Sequence, residues 1–180
     1  MRNVFLILGN GFTIDFLQHY SKVDKSVLER IDVRNLFRLG DRIRPPWDDK
    51  PGFLSYKNCP SLWMLGARPS NTLEESTALI EEIITCANMF FDFVNEPDQK
   101  AKRLELANQS KDRLYLKAYS ELIVYLRHLF SCYDALITDD KLREFLEKDK
   151  DTDWGWLDFF KNVSESQYDK ITVVTYNYDI

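Results

Sequence analysis

The chain is short of every residue that marks a repetitive or cross-linked architecture. Six glycines and six prolines in 180 residues are too few for collagen-like or low-complexity segments. The three cysteines, Cys59, Cys86 and Cys132, are an odd count with no CxxC pair, and only His19 and His128 are there to join them as ligands. Neither a metal site nor a disulfide framework is expected, and the expected setting is a reduced, cytoplasmic one. Positive charge is lacking too. Twenty-four Lys and Arg against 29 Asp and Glu give a net charge of −5, the wrong sign for a general nucleic-acid backbone binder. The N-terminal apolar run Val4–Leu8 is too short for a signal peptide or a membrane span, so no membrane contact is expected. What remains is 44% hydrophobic, 14% aromatic and 29% charged, enough to bury one core.

Along the chain, Asn3–Leu8 (NVFLIL) is an unbroken apolar run stopped by Gly9-Asn10-Gly11. Such a run predicts a parallel strand buried on both faces. Thr13 is the expected helix N-cap, with Phe16, Leu17 and Tyr20 opening a helical face. From about Asp41, Pro45, Pro46, Pro51, Pro60 and Pro69, with Gly40, Gly52 and Gly66, break any long periodicity. Trp47, Phe53, Tyr56, Trp63 and Met64 predict that this long loop is ordered, as a wall or lid.

Two long helices are expected next. The first covers Thr72–Asn95 with a stripe of Ile80, Ile83, Ile84, Ala87, Phe91 and Val94. The second covers roughly Asp112–Leu136 with Tyr115, Tyr119, Leu122, Ile123, Leu126, Leu129, Phe130 and Tyr133, the charged stretch Lys100–Lys111 being its solvated beginning. Asp139–Lys148 reads as a shorter helix, Asp149–Asp153 as an acidic break, and Trp154–Val163 as an aromatic helix. Lys170–Thr175 (KITVVT) is a second β-branched strand running into Tyr176-Asn177-Tyr178-Asp179. Two strands do not make a stable sheet alone. The expected fold class is therefore α/β: a Rossmann-like parallel sheet with a large, mainly helical insertion, forming an N-terminal portion of a full domain. Residues 1–40 supply the first strand-turn-helix of the nucleotide-binding fold, 41–150 the loop and helical insertion, and 151–180 the helix and strand that return to it.

Two motifs carry chemistry. Gly9-Asn10-Gly11 lies between a strand and a helix, where glycines let backbone approach a phosphate and helix N–H groups attract anions. The full dinucleotide fingerprint is not there, since Ile14 holds the third glycine position, although Asp32 falls where a ribose-binding acid would. Alone, the motif is also the pattern of a tight strand-to-helix turn. Thr175-Tyr176-Asn177-Tyr178-Asp179 ends the second strand, and ligands of open α/β sheets bind beyond the carboxyl ends of strands. Alone, Asn and Asp there also suit an ordinary turn.

Taken together, the runs Leu6–Asp15 (LILGNGFTID) and Val173–Asp179 (VVTYNYD) resemble the sirtuin-like (silent information regulator-type) NAD-hydrolase domains of bacterial anti-phage defence proteins. The GNGF opening is similar to that of AbiH-type abortive-infection proteins. The two motifs cover under a fifth of the chain. The resemblance implies that Gly9, Asn10 and Gly11 cradle the NAD phosphates and adjoining ribose, with Thr13 in the hydroxyl position and Phe12, Asp15, Thr175 and Tyr176 completing the cofactor-binding set. It further implies that Asn177 is catalytic, orienting the nicotinamide ribose and a water, and that Asp179 lines the nicotinamide pocket. The implied activity is cleavage of the N-glycosidic bond to nicotinamide and ADP-ribose, as an abortive-infection effector. NAD is the substrate, and no metal is called for. A homo-oligomer, a sensor domain or partner protein and a phage-derived activator are the implied partners.

Departures from the family matter. Its members carry a catalytic histidine after the asparagine motif, and neither His19 nor His128 holds that place, so these 180 residues alone are expected to be catalytically crippled. The zinc-binding cysteine pairs of deacylating sirtuins are absent, which argues against protein deacylation. Both histidines read as structural. Asp15 with Asp32, and the group Asp149, Asp151 and Asp153, raise metal binding, which a solvated acidic turn explains better for the second set. Trp154, Trp156, Phe159 and Phe160 read as a packing or subunit interface. The alternatives to a hydrolase are a non-catalytic nucleotide-binding or oligomerisation module, and a helical interaction protein in which both motifs are plain turns.

Overall fold

The computed structural model describes residues 3–48, 50–95, 110–147, 154–165, 168 and 170–175. It is a mixed α/β structure, mostly helical, with one small parallel sheet. In chain order the elements are β1 (Asn3–Leu8), α1 (Asn10–Tyr20), α2 (Val27–Arg30), α3 (Pro60–Met64), α4 (Leu73–Asn95), α5 (Ser110–Asp134), α6 (Asp139–Glu147), α7 (Gly155–Glu165) and β2 (Lys170–Thr175). Two compact units partition the chain: Met1–Val33 with Tyr133–Ile180, and Arg34–Cys132.

In the first unit β1 and β2 pair in parallel, from Asn3 opposite Lys170 to Leu8 opposite Thr175. The expectation that β1 is buried on both faces is corrected. Phe5 and Ile7 are 62% and 63% exposed, and Ile171 and Val173 are 45% and 51% exposed. In register, Phe5 and Ile7 lie beside Thr172 and Val174, while Ile171 and Val173 lie beside Val4 and Leu6. Apolar side chains are thus uncovered on both faces among the described residues. The composition is that of an interior strand, but the covering layers that such a strand needs are not part of this two-stranded sheet. The unit's core is Leu8, Leu17, Tyr20, Val27, Ile31, Tyr133, Phe145, Trp154 and Val163. Phe145 from α6 meets Phe16 and Tyr20 from α1 edge-on or tilted, at 5.7 Å each.

The second unit is built on α4 and α5. Helix α4 starts at a reciprocal cap. The Thr72 amide donates to Glu75 Oε2 at 2.8 Å, and the Glu75 amide donates to Thr72 Oγ1 at 3.2 Å. Its buried line is Ser76, Leu79, Ile83 and Ala87, which shares Ile83 and Ala87 with the expected stripe. Ile80 and Ile84 are half-buried, Phe91 is exposed, and the side chain of Val94 lies outside the described residues. On α5 the part within this unit buries Ala118, Leu122, Tyr125 and Leu129, and Ile123 faces out. The Tyr125 hydroxyl donates to the Leu36 carbonyl at 2.5 Å, which makes a long polar side chain tolerable at full burial.

The proline-rich loop is ordered, and one of the aromatics expected to pin it, Phe53, does so. Phe53 and Leu54 are fully buried, whereas Trp47, Tyr56 and Met64 point outward. Three glycines are required by local geometry in this unit. A Cβ on Gly52 would stand 2.1 Å from the Asp41 carbonyl oxygen, one on Gly40 would stand 2.5 Å from Leu54 Cβ, and Gly66 has φ +103°. Helix α3 is capped from afar, with the Ser61 and Leu62 amides donating to the two oxygens of Glu121 at 3.1 and 2.9 Å.

Candidate functional site

The glycine turn is best built from the strand outward. β1 ends at Leu8, and Gly9 follows in extended conformation, φ −124° and ψ −177°, as the N-cap of α1. The Phe12 amide donates to the Gly9 carbonyl at 2.9 Å, so the helix begins immediately at Asn10. Thr13 is therefore not the N-cap as expected; it lies inside the first turns, because the glycines let the chain enter the helix directly from the strand. Among the described residues no side chain caps this end and no acidic residue sits in its first turn, so the positive end of the helix dipole is uncompensated by either.

Neither Gly9 nor Gly11 has a positive φ, and a Cβ built on either meets nothing within 4 Å among the described residues. The contrast with Gly40, Gly52 and Gly66 is informative. Those three are demanded by backbone or by close neighbours, whereas the fold described here makes no such demand at Gly9 and Gly11. Bare backbone next to open space is what close approach of a ligand would require.

Thr175, the last residue of β2, is the register partner of Leu8. β1 and β2 therefore end side by side at the same end of the sheet. Tyr176, Asn177, Tyr178 and Asp179, on which the second motif rests, lie outside the described residues, and so does the acidic group Asp149, Asp151 and Asp153. The side chain of Asn10 lies outside them as well.

The other expected cofactor residues have defined surroundings. The Phe12 ring is gripped by Trp154, Trp156 and Phe160 at 5.7, 5.4 and 6.1 Å between centroids. Asp15 Oδ2 accepts a hydrogen bond from Trp154 Nε1 at 2.9 Å. His19 Nδ1 lies 2.9 Å from the Asp15 carbonyl oxygen and 3.6 Å from Asp15 Oδ1. The aromatic group read as a packing surface thus packs on the residue that follows the glycine turn. Sequence reasoning missed the bond from Trp154 to Asp15. The spacing of Phe12, Asp15, Phe16 and His19 on one helical face was the available signal.

His19 sits in the last turn of α1, about nine residues or ~13 Å along the axis from the glycine turn at 1.5 Å per residue. In the second unit His128 Nε2 is 2.6 Å from the Arg44 carbonyl and its ring lies 5.3 Å from Phe53, which accounts for it structurally. Cys132 Sγ is 3.6 Å from the same nitrogen, and burial pushes its thiol pKa up, the opposite of what a nucleophile needs. Burial, with Glu121 nearby, pushes the Cys59 thiol up to about 12.

Among the described residues no three His, Cys, Asp or Glu side chains are grouped to hold a metal ion, Asp15 and Asp32 included. Among them, too, no helix is long and apolar enough to cross a membrane. Comparison with family models, curated proteins and solved structures found no match to this chain.

Proposed function

We propose that this chain carries the dinucleotide-binding part of a Rossmann-like NAD glycohydrolase that acts as an abortive-infection effector in phage defence. The observation that carries the reading is the pairing of Leu8 with Thr175, which puts the strand ends that precede the glycine turn and the asparagine side by side. The open space over Gly9 and Gly11 supports it. In this reading the amides of Asn10 and Gly11 face the NAD phosphates, and the uncompensated helix end favours their charge.

The reaction breaks the bond between the nicotinamide nitrogen and the ribose anomeric carbon. The electron pair goes to the ring nitrogen, which leaves as neutral nicotinamide. Water bonds to the cation-like carbon and gives its proton to solvent, leaving ADP-ribose. Asn177 orients the ribose hydroxyls and that water, and Asp179 lines the nicotinamide pocket. Chemistry of this kind depends on positioning and electrostatics, which suits an amide. Cytoplasmic NAD is the substrate, and a second copy of the chain, a sensor element and a phage component control the activity.

The test is incubation of the full-length protein with NAD while nicotinamide release is followed, with and without phage components. Asn177→Ala is expected to abolish release and leave thermal unfolding nearly unchanged. Equal release by that variant overturns the role of Asn177. Tight NAD binding without turnover in the natural protein favours the non-catalytic nucleotide module instead.

A further inference from the structure

Trp154 is 6% exposed and immediately precedes α7. Its ring lies 5.7 Å from Phe12, 5.5 Å from Phe16 and 6.3 Å from His19, while its N–H donates to Asp15 at 2.9 Å. Those four α1 residues stand at i, i+4, i+7 and i+3, so one indole braces a whole face of the helix. Phe145 backs the ring at 5.6 Å. An indole has one donor and no acceptor, so the bond to Asp15 fixes both the tilt of the ring and its position along α1.

The brace matters because the glycine turn has no comparable hold of its own. Among the described residues it has no side-chain cap, and its glycines would touch nothing within 4 Å through a Cβ. Among the described side chains, the nearest with a firm grip is Phe12, held by Trp154 together with Trp156 and Phe160 of α7. α7 in turn leads toward β2, the strand paired with β1. We infer that Trp154 is a positioning residue for the glycine turn: through Asp15 and Phe12 it sets where the first-turn amides of α1 point. Its effect on ligand rests on the NAD reading above, whereas its effect on the amides does not.

The experiment uses Trp154→Phe, Asp15→Ala and the double variant in the full-length protein, with amide hydrogen exchange and NAD calorimetry as readouts. The expected result is exchange at the Phe12 amide about tenfold faster in each single variant, with β1 amides unchanged. The double variant is expected to be no faster than the faster single, because both remove one interaction. NAD affinity is expected to fall by about tenfold in Trp154→Phe with turnover at saturating NAD unchanged.

A lowered melting temperature with normal Phe12 exchange, or additive effects in the double variant, overturns the inference and leaves ordinary packing. Normal NAD affinity in Trp154→Phe overturns it as well. If the exchange pattern holds but the natural protein binds no NAD, the positioning role stands and the NAD reading falls.

Discussion

Leu8 and Thr175 are register partners at the carboxyl ends of two parallel strands, drawn from opposite ends of the described chain. The proposed function rests on that one pairing. Ligands of open parallel sheets lie beyond the carboxyl ends of strands, and these two ends hand over directly to the glycine turn and to the asparagine-bearing segment.

Gly11→Ala separates fold from ligand. The position is helical, its Cβ would meet nothing within 4 Å, and alanine is the better helix former. The variant is expected to be as stable as the natural protein or more stable, by up to about 1 kcal/mol in urea unfolding. NAD binding is expected to weaken, because the added methyl occupies the approach to the backbone. A variant that binds NAD normally removes the argument from open glycines.

Gly52→Ala is expected to do the reverse. Its Cβ would be driven to 2.1 Å from the Asp41 carbonyl oxygen and 2.6 Å from Asp41 Cα, backbone atoms that cannot swing aside. A loss of about 3 kcal/mol is expected by denaturant titration. A loss under about 1 kcal/mol means that the loop relaxes freely, contrary to its buried Phe53 and Leu54.

Glu121→Gln tests the remote cap on α3. An amide offers one accepting oxygen where the carboxylate offers two, so one of the Ser61 and Leu62 amides loses its partner. The expected cost is about 1–2 kcal/mol. Exchange at both amides is the direct check, and equal protection in the variant refutes the cap.

Asp24 gives a pH dependence with a definite sign. The Lys141 ammonium, by hydrogen bond and charge, with help from Ser26, lowers the Asp24 carboxyl from 3.8 to about 2. A carboxyl depressed in the folded state stabilises the fold above its unfolded value, and that contribution is lost as pH falls toward its folded value. The melting temperature of the natural protein is therefore expected to fall more steeply than that of Asp24→Asn between about pH 4 and pH 2. Parallel curves across that interval remove the pair from acid stability.

Much of the fold was legible because local rules and tertiary packing agree. Both strands carry β-branched or apolar runs bounded by turn residues, and both have the expected limits. The helices at Leu73–Asn95, Ser110–Asp134, Asp139–Glu147 and Gly155–Glu165 fall within a few residues of their expected spans. What could not be read was the choice among neighbouring apolar residues. Periodicity admits Phe91 or Ile123 to a stripe as readily as Ala87 or Tyr125, and only contact with another element decides. The caps and braces were also hidden. Glu121 reaches Ser61, and Trp154 reaches Asp15, across sequence separations that no local pattern encodes. At the candidate site, the glycine turn was legible as a place, whereas the helix start at Asn10 in preference to Thr13 was not, since a glycine N-cap leaves no side-chain signature.

The register of the sheet also governs the order of birth of its parts. β1 is made before its partner β2, which emerges only after all the helices among the described residues have been synthesised, and a contact so distant in sequence costs loop entropy before it returns any free energy. On the ribosome, then, NVFLIL spends most of translation as an unpaired apolar segment, the kind that invites chaperones or aggregation. For an enzyme proposed to empty its own cell of a coenzyme, that delay would be a safeguard: a nascent chain that stops short of β2 lacks the strand that leads into the second motif.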